Sequence, residues 1–447
     1  MEVIVIGAGL AGLSAAQRLL AAGEEVTVVE GRDRIGGRVY TKRDGGVTPP
    51  VELGAEWLEP GTSVPDLVRA KGGTVRDSEG SFLVRTAAGL EPMDEGADDR
   101  LLRSLSSLAG DDWSLVEGLK ECCSGDAWRD ARASLVDYVE GFHAADPVSL
   151  SVRWLREVEQ SQSADASSAR AVDGLDQAVE ALRPAPGSAC DLRLSTVVRE
   201  VRWRRGRVSL RVSAGGADVG GHADESPTGE LEGEAVVVTL PLSILQAPPG
   251  HPSAVPFVPG LPGKGTALES LSMGEVVKLV LDFDEPVWAG VAGAEEMLFL
   301  HDRSQQFPTW WTTRPVGSPR LTAWVGGPQT RRLGGARGEG LLDAALDSLA
   351  GALAVPRATV RGALRDWHHH EWRDDPFALG AYSWVRVGGY DAHRALAAPV
   401  EETLYFAGEA TCGGGYNASA RGAVESGRRA ADELLAARGL ARAKGAR

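Results

Sequence analysis

Residues 3–30 read VIVIGAGLAGLSAAQRLLAAGEEVTVVE, and this stretch decides the fold. An apolar run, Val3 to Ile6, leads into Gly7, Gly9 and Gly12 at G-x-G-x-x-G spacing. The pattern predicts a strand, a glycine turn and a helix. Gly7 permits the tight turn, Gly9 lets backbone approach a pyrophosphate, and Gly12 lets the helix lie close to the strand. Leu10, Leu13, Ala16, Leu19 and Leu20 recur at helical spacing as an apolar stripe. Gly23 ends that helix, and Val26, Val28 and Val29 belong to a second strand. Glu30 stands 18 positions after Gly12, where an acid can accept hydrogen bonds from ribose hydroxyls. A carboxylate at that point argues against a phosphorylated ribose, hence against NADP. A glycine motif alone is weak evidence, but between a strand and a helix, with the acid in place, it is a dinucleotide fingerprint.

The next residues separate NAD from FAD. Arg32 to Thr41 read RDRIGGRVYT, in which Gly36 and Gly37 suit a second backbone approach to a diphosphate. Arg32 and Arg38 are placed to neutralise its charge. Val51 to Gly61, VELGAEWLEPG, offers a further close approach at Gly54 and Ala55, followed by Glu56 and Trp57. Far along the chain, from Leu404, comes LYFAGEATCGGGYNASARGAVESGRRAADEL.

These three segments, in this order and spacing, resemble the FAD-dependent amine oxidase superfamily, which includes monoamine oxidases, polyamine oxidases and histone lysine demethylases. The resemblance runs nearly end to end and is strongest to the polyamine oxidase branch. It implies an α/β fold, a Rossmann-type FAD-binding domain interleaved with an α+β substrate-binding domain, as in p-hydroxybenzoate hydroxylase. The FAD domain is expected at 1–75, 170–255 and 395–447, and the substrate domain at 76–169 and 256–394. By the same resemblance Gly408 and Glu409 lie beside the ribityl and diphosphate part of FAD. A helix from Ala418 onward points its N-terminus at the flavin's pyrimidine end, where the dipole favours negative charge. The strand around Val197 and Val198 contacts adenine through its backbone, and Glu56 and Trp57 belong to the loop that meets the cofactor. The middle segment is expected to hold a helix near Asp173 to Leu182, a hairpin in LRLSTVVREVRWRRGRVSLRV, a hairpin tip at 213–233, and a buried strand AVVVTLPLSIL from Ala235. In the substrate domain the first part reads as helical, with Leu101, Leu102, Leu105 and Leu108, and the second as sheet, in VVKLVLDF and LTAWVGG. Most of the 12 tryptophans read as core.

The implied chemistry moves a hydride equivalent from the carbon bearing nitrogen to flavin N5. The imine then hydrolyses, and oxygen reoxidises the flavin to give hydrogen peroxide. The amine must be neutral, and an apolar, aromatic-walled site favours that form. Lys278, in MGEVVKLVLDF, is flanked by Val276, Val277, Leu279, Val280 and Leu281, which is unusual for a surface residue. In relatives the matching lysine holds a water against N5 and assists the oxygen half-reaction. The plainer reading is an edge-strand lysine that blunts aggregation. HHHEWRDDPFALGAYSWVRVGG resembles the polyamine-oxidase and demethylase branch, with Trp-x-x-Asp-Pro ahead of the tyrosine. Trp372 is expected against the flavin and Tyr382 as one wall of a substrate cage, its π face orienting an amine. Ordinary core packing is the plainer reading of Tyr382. His368, His369 and His370 sit on a strand and alternate faces, so they do not converge on a metal.

Two departures from the monoamine oxidases matter. The residue before the tyrosine is Ala381 where they carry a flavin-linked cysteine, so FAD is expected to be noncovalent. Their second aromatic wall lies three residues before the Gly-Ala pair; here Gly422 and Ala423 are preceded by Ser419, a small hydroxyl residue that leaves the cage half open to a longer, secondary amine. Glu59, in WLEPG, matches a polyamine-oxidase position that carries an acid or histidine at the tunnel, suited to a distal ammonium; it reads equally as an exposed loop acid. Glu56 is a second candidate for that role.

Composition narrows the partners. The chain has 447 residues, 43% hydrophobic and 24% charged, which is globular and long enough for two to three domains. A net charge of −15 repels nucleic acid and anionic membranes and attracts cations. Cys122, Cys123, Cys190 and Cys412 show no metal spacing and read as reduced thiols. No signal-like start, membrane span or C-terminal address tag is visible, so a cytoplasmic monomer or homodimer is expected. The resemblance implies that it oxidises a polyamine or other secondary amine, a small molecule, with oxygen as acceptor. The Ala, Arg and Gly enrichment fits a high-GC bacterial source. Other readings are an L-amino-acid oxidase, which needs an arginine such as Arg386 to clamp a carboxylate, a natural-product tailoring oxidase, and, less favoured, a demethylase-like or non-catalytic interaction module.

Overall fold

The computed structural model describes residues 2–43, 49–93, 95–108, 112–162, 168–215 and 229–445. The expected hairpin tip at 213–233 therefore lies largely outside the described residues.

The opening motif folds as its pattern requires. Strand Glu2–Ile6 enters the glycine turn, helix Leu10–Ala21 follows, and strand Glu25–Val29 returns parallel to the first. Three more short strands complete a parallel sheet in the order Cys190–Arg193, Glu25–Val29, Glu2–Ile6, Ala235–Val238, Leu404–Phe406. Its central strands, Glu2–Ile6 and Ala235–Val238, are near-continuous apolar runs because both faces are covered. One face packs on helix Leu10–Ala21, helix Asp176–Leu182 and the long helix Ala420–Gly445. The other packs on a four-stranded sheet built from Gly229–Gly233, Arg207–Ala214, Thr196–Arg204 and Phe257–Val258.

The helix and strand touch where Gly12 has no side chain. A Cβ there would lie 1.9 Å from the Gly7 carbonyl oxygen, so only glycine permits this crossing. The long C-terminal helix crosses the same helix as closely, and the buried Ser14 hydroxyl donates to the Val424 carbonyl at 2.9 Å.

A seven-stranded mixed sheet forms the second layer system, in the order Leu364–His369, Val276–Phe283, Arg320–Gly326, Thr309–Thr312, Met297–His301, Ser81–Thr86, Gly89–Pro92. Alternation sets its faces. Val277, Leu279, Leu281, Leu321, Ala323 and Val325 pack against helix Glu339–Leu353. A helical cluster, Glu95–Ser106, Leu115–Cys122, Arg129–Gly141 and Val152–Gln162, closes one side.

The structure departs from the sequence reading at several boundaries. AVVVTLPLSIL is not one strand: it is strand Ala235–Val238 and then helix Leu242–Gln246, because Pro241 has no N–H for a ladder but suits a helix start. The residues after 76 are not purely helical; SFLVRT and GLEP form a hairpin that completes the mixed sheet. The last helix begins at Ala420, not Ala418, since Ser419 caps it. All four cysteines are free thiols; Cys122 Sγ lies 3.0 Å from Cys123 Sγ, and burial pushes the Cys122 thiol up to about 12.

Gly12→Ala is expected to force the helix off the strand. Overpacking of this kind costs about 1–3 kcal/mol, read as a lower thermal midpoint together with reduced flavin content. A variant with wild-type midpoint and flavin ratio would contradict the close-crossing account.

Candidate active site

One cavity of about 540 Å³ runs between the parallel sheet and the mixed sheet. Glu30, Val197 and Val198 line it, where the Thr196 N–H meets the Glu30 carbonyl at 2.8 Å. Gly7, Gly9, Gly36, Gly37 and Arg38 continue the wall, with Gly9 and Gly36 bridged by their backbones. Beyond them the lining passes Gly54, Ala55, Gly408, Glu409 and Ala418 to Lys278, Trp324, Trp372, Tyr382 and Ser419.

The residues present suit a dinucleotide. Helix Leu10–Ala21 opens on the cavity with Gly9 as its N-cap and no side-chain cap, so its first N–H groups meet an anion rather than a hydroxyl. Glu30 is buried and fixed by the N–H groups of Ala8 and Arg32, both at 2.9 Å. Gly54 brings its backbone against the Arg38 carbonyl, where a Cβ would lie at 1.9 Å.

The two arginines do something other than sit free beside a diphosphate. Arg32 donates to Asp375 at 2.6 Å, and Asp375 also contacts His370 Nε2 at 2.7 Å and accepts the Phe377 N–H. Although burial opposes it, His370 and Arg32 hold the Asp375 carboxyl far below its usual range. Arg38 donates to the Ala381 carbonyl at 2.6 Å and to Glu409 at 2.9 Å. The other Glu409 oxygen accepts from the Ser383 hydroxyl and from the Ala418 N–H. Ala418 stands at φ 63°, a left-handed conformation that costs a non-glycine residue about 1–2 kcal/mol. Its N–H contact with Glu409 helps to hold it there.

Lys278 is buried in strand Val276–Phe283, all of whose residues are buried. Its ammonium donates to the Gly54 carbonyl at 3.0 Å and to Glu56 at 2.8 Å, which uses two of its three N–H groups. It faces the cavity and is no edge-blunting lysine: its strand is paired on both sides. Glu56 also accepts from Arg170 at 2.8 Å and from the Trp311 indole at 3.2 Å. Burial pushes Glu56 up, but Lys278 and Arg170 outweigh it and hold the carboxyl below its ordinary value. Nearby Glu52, losing water against the pull of the Leu175 N–H and Lys278, is pushed up to about 7.

Trp372 lines the cavity, pinned by its indole N–H on the Leu53 carbonyl at 2.8 Å. Tyr382 donates its hydroxyl to the Phe142 carbonyl at 2.5 Å, and burial pushes its pKa upward. Ser419 lines the cavity too, but its hydroxyl is engaged: it donates to the Tyr416 carbonyl at 2.7 Å and accepts the Gly422 N–H at 2.9 Å as the cap of the last helix. It contributes small size rather than a free hydroxyl.

Four expected residues are not on the cavity wall. Gly12 sits at the helix–strand crossing, against the Gly7 carbonyl. Glu56 is turned to its buried cations. Trp57 stacks on Phe299 at 5.1 Å, with the Arg170 guanidinium 4.0 Å over its ring. Glu59 pairs with Arg421 at 3.3 Å, and Arg421 also binds Glu425 at 2.7 Å and lies over Tyr416. The three histidines diverge, to Asp282, to the Lys278 carbonyl and to Asp375. Among the described residues no group of His, Cys, Asp and Glu is placed to hold a metal, and no helix is long and apolar enough to cross a membrane. Sequence reading missed Trp324, Arg170 and Asp375. Only Asp375 carried a signal, in the Trp-x-x-Asp-Pro motif.

The model of the flavin containing amine oxidoreductase family matches residues 10–75 and 90–435. Polyamine oxidase 1 of Oryza sativa subsp. japonica is 30% identical, over 97% of this chain and 97% of its own. Lysine-specific histone demethylase 1 homolog 3 of Arabidopsis thaliana is 29% identical over 92% of this chain, which spans 28% of that protein's length. Among solved structures, cyclohexylamine oxidase from Brevibacterium oxydans superposes with a TM-score of 0.78 at 21% identity, covering 98% of this chain and 99% of that one. Wild-type putrescine oxidase bound to putrescine gives 0.78 at 20% identity, covering 98% and 99%. Both share the fold. With the cofactor cleft and the family match in agreement, the chain belongs to the flavin-containing amine oxidoreductases and is an FAD-dependent amine oxidase.

Proposed function

We propose that the chain oxidises a neutral amine to an imine in the aromatic part of the cavity, with oxygen as the final acceptor. The observation that carries this reading is Lys278: a buried ammonium on the cavity wall, fixed by Gly54 and Glu56, with one N–H left over. Bound FAD would supply the acceptor for the hydride equivalent and pass the electrons to oxygen. Gly9, Gly36, Gly37 and Gly54 would hold it by backbone, Glu30 at its ribose and Val198 at its adenine. No cysteine lines the cavity among the described residues, in keeping with noncovalent attachment.

The protein's own groups then have limited tasks. Trp324, Trp372 and Tyr382 exclude water, and their π faces orient the amine nitrogen. The remaining Lys278 N–H orients a water and offers positive charge where oxygen gains electrons. The proposed units follow the expected boundaries, with the cofactor unit's middle segment extended to 258 because Phe257–Val258 pairs with Thr196–Arg204.

The substrate best suited to this wall has one reacting nitrogen and an apolar remainder. The carboxylate that lines the cavity beside Tyr382, Glu409, is already taken up by Arg38 and the Ser383 hydroxyl. A polyamine remains the second reading, favoured by the rice polyamine oxidase match. The Glu59 carboxyl is partly exposed but lies off the cavity wall, paired with Arg421 at 3.3 Å. An amino acid fits less well: Arg32 and Arg38 are paired with carboxylates, and Arg386 is exposed on the Ser272 hydroxyl.

Lys278→Met is expected to slow flavin reoxidation by about tenfold or more while slowing anaerobic reduction much less, measured in separate stopped-flow half-reactions. Equal effects on both would remove the proposed role. The acid limb of the reductive rate is expected to move with the pKa of the amine tested, since the neutral amine reacts. A limb fixed near 7 for every amine would instead assign it to Glu52.

A further inference from the structure

Strand Arg320–Gly326 is buried at every position but one, and that one is Trp324. Leu321, Ala323 and Val325 face the helix-covered core, so Trp324 points to the other side and belongs to none of the hydrophobic clusters. Its residual exposure is to the cavity, which it lines. In the sheet it stands directly opposite Lys278, which places the indole and the ammonium on one face. Trp311 backs it, with ring centroids 5.6 Å apart.

The indole is also held from its far edge. Trp324 Nε1–H donates to the Gly141 carbonyl at 2.8 Å, and the Tyr382 hydroxyl donates to the next carbonyl, Phe142, at 2.5 Å. These carbonyls end helix Arg129–Gly141, where the last C=O groups lack intrahelical partners. Consecutive carbonyls thus fix the polar tips of two cavity-lining aromatic rings. Ser419, small and occupied in capping, leaves its own side of the cavity without a ring.

We propose that Trp324 is the second aromatic wall of the substrate site, paired with Tyr382 through the end of helix Arg129–Gly141, and that it sets specificity for amines with a flat or slim apolar substituent. The inference rests on the amine-oxidase reading of this cavity and adds which residue selects the substrate. A ring at 324 lies on the mixed sheet beside Lys278, so it bounds how far an apolar group extends past the reacting nitrogen. An indole face also attracts a cationic or partly positive nitrogen.

The test uses flavin-loaded wild type, Trp324→Ala, Trp324→Phe and Tyr382→Ala. Calorimetric titration with benzyltrimethylammonium, which has no lone pair to oxidise, gives a Kd independent of turnover. Trp324→Ala and Tyr382→Ala are each expected to weaken binding about tenfold, and Trp324→Phe much less. In turnover, Trp324→Ala is expected to raise KM for benzylamine with a smaller change in kcat, and to shift kcat/KM towards amines with a bulkier substituent, such as a branched or two-ring group. Should Trp324→Ala fail to fold or load flavin, Trp324→Leu, which keeps apolar bulk without the ring, is read in its place. An unchanged Kd and an unchanged ranking of amines overturn the proposal. Wild type that binds the cation but oxidises no amine overturns the oxidase reading instead and leaves the wall standing.

Discussion

The contact on which the site depends is the buried carboxylate of Glu56. It binds Lys278 at 2.8 Å and Arg170 at 2.8 Å, and takes the Trp311 indole N–H as well. Through it the loop after Val51–Glu52, strand Ala169–Ala171, strand Val276–Phe283 and strand Thr309–Thr312 meet at one atom group. Each charge is out of water, so removing one partner from such a set leaves an uncompensated ion at a cost of about 3–5 kcal/mol. The gain is position. Lys278 would otherwise be a flexible four-carbon chain; with Gly54 and Glu56 as acceptors its ammonium has one place to be.

The same economy governs the cofactor side of the cleft. Arg32 is matched by Asp375, Arg38 by Glu409, and both arginines anchor the Trp372–Tyr382 segment to the opening motif. These ion pairs therefore act as joints between the sheet that carries the glycine turn and the segment that carries the aromatic walls. The backbone N–H groups that open helix Leu10–Ala21, which has no side-chain cap, suit the cavity to an anion. The substrate end of the cavity is walled by aromatic rings, with Lys278 on the mixed sheet and the Arg38–Glu409 pair beside Tyr382.

How much of this the sequence displays depends on the range of the interaction. The glycine turn, Glu30 and the parallel strands are local patterns, and each reads correctly from a few neighbouring residues. Lys278 stands out because its flanks are apolar. Its partner does not, since Glu56 lies 222 residues away and no periodicity links them. Trp57 and Glu59 sit in the right loop, yet only geometry reveals that one stacks on Phe299 and the other on Arg421. Ser419 is legible as a helix cap, being a serine just before an alanine-led helix, but that its side chain also faces the cavity is set by the fold. Trp324 is the hardest case. In LTAWV it alternates like any strand residue, and whether that face meets core or cavity is decided by the packing of the whole sheet.

The central claim is that this cleft oxidises amines with oxygen. Peroxide release by the flavin-loaded protein, screened over monoamines with apolar substituents, polyamines, acetylated polyamines and amino acids, tests it most directly. The expected result is peroxide from amines, strongest with a single nitrogen and a slim apolar group. Peroxide only from amino acids such as tryptophan or phenylalanine, or from no amine at all, would contradict it.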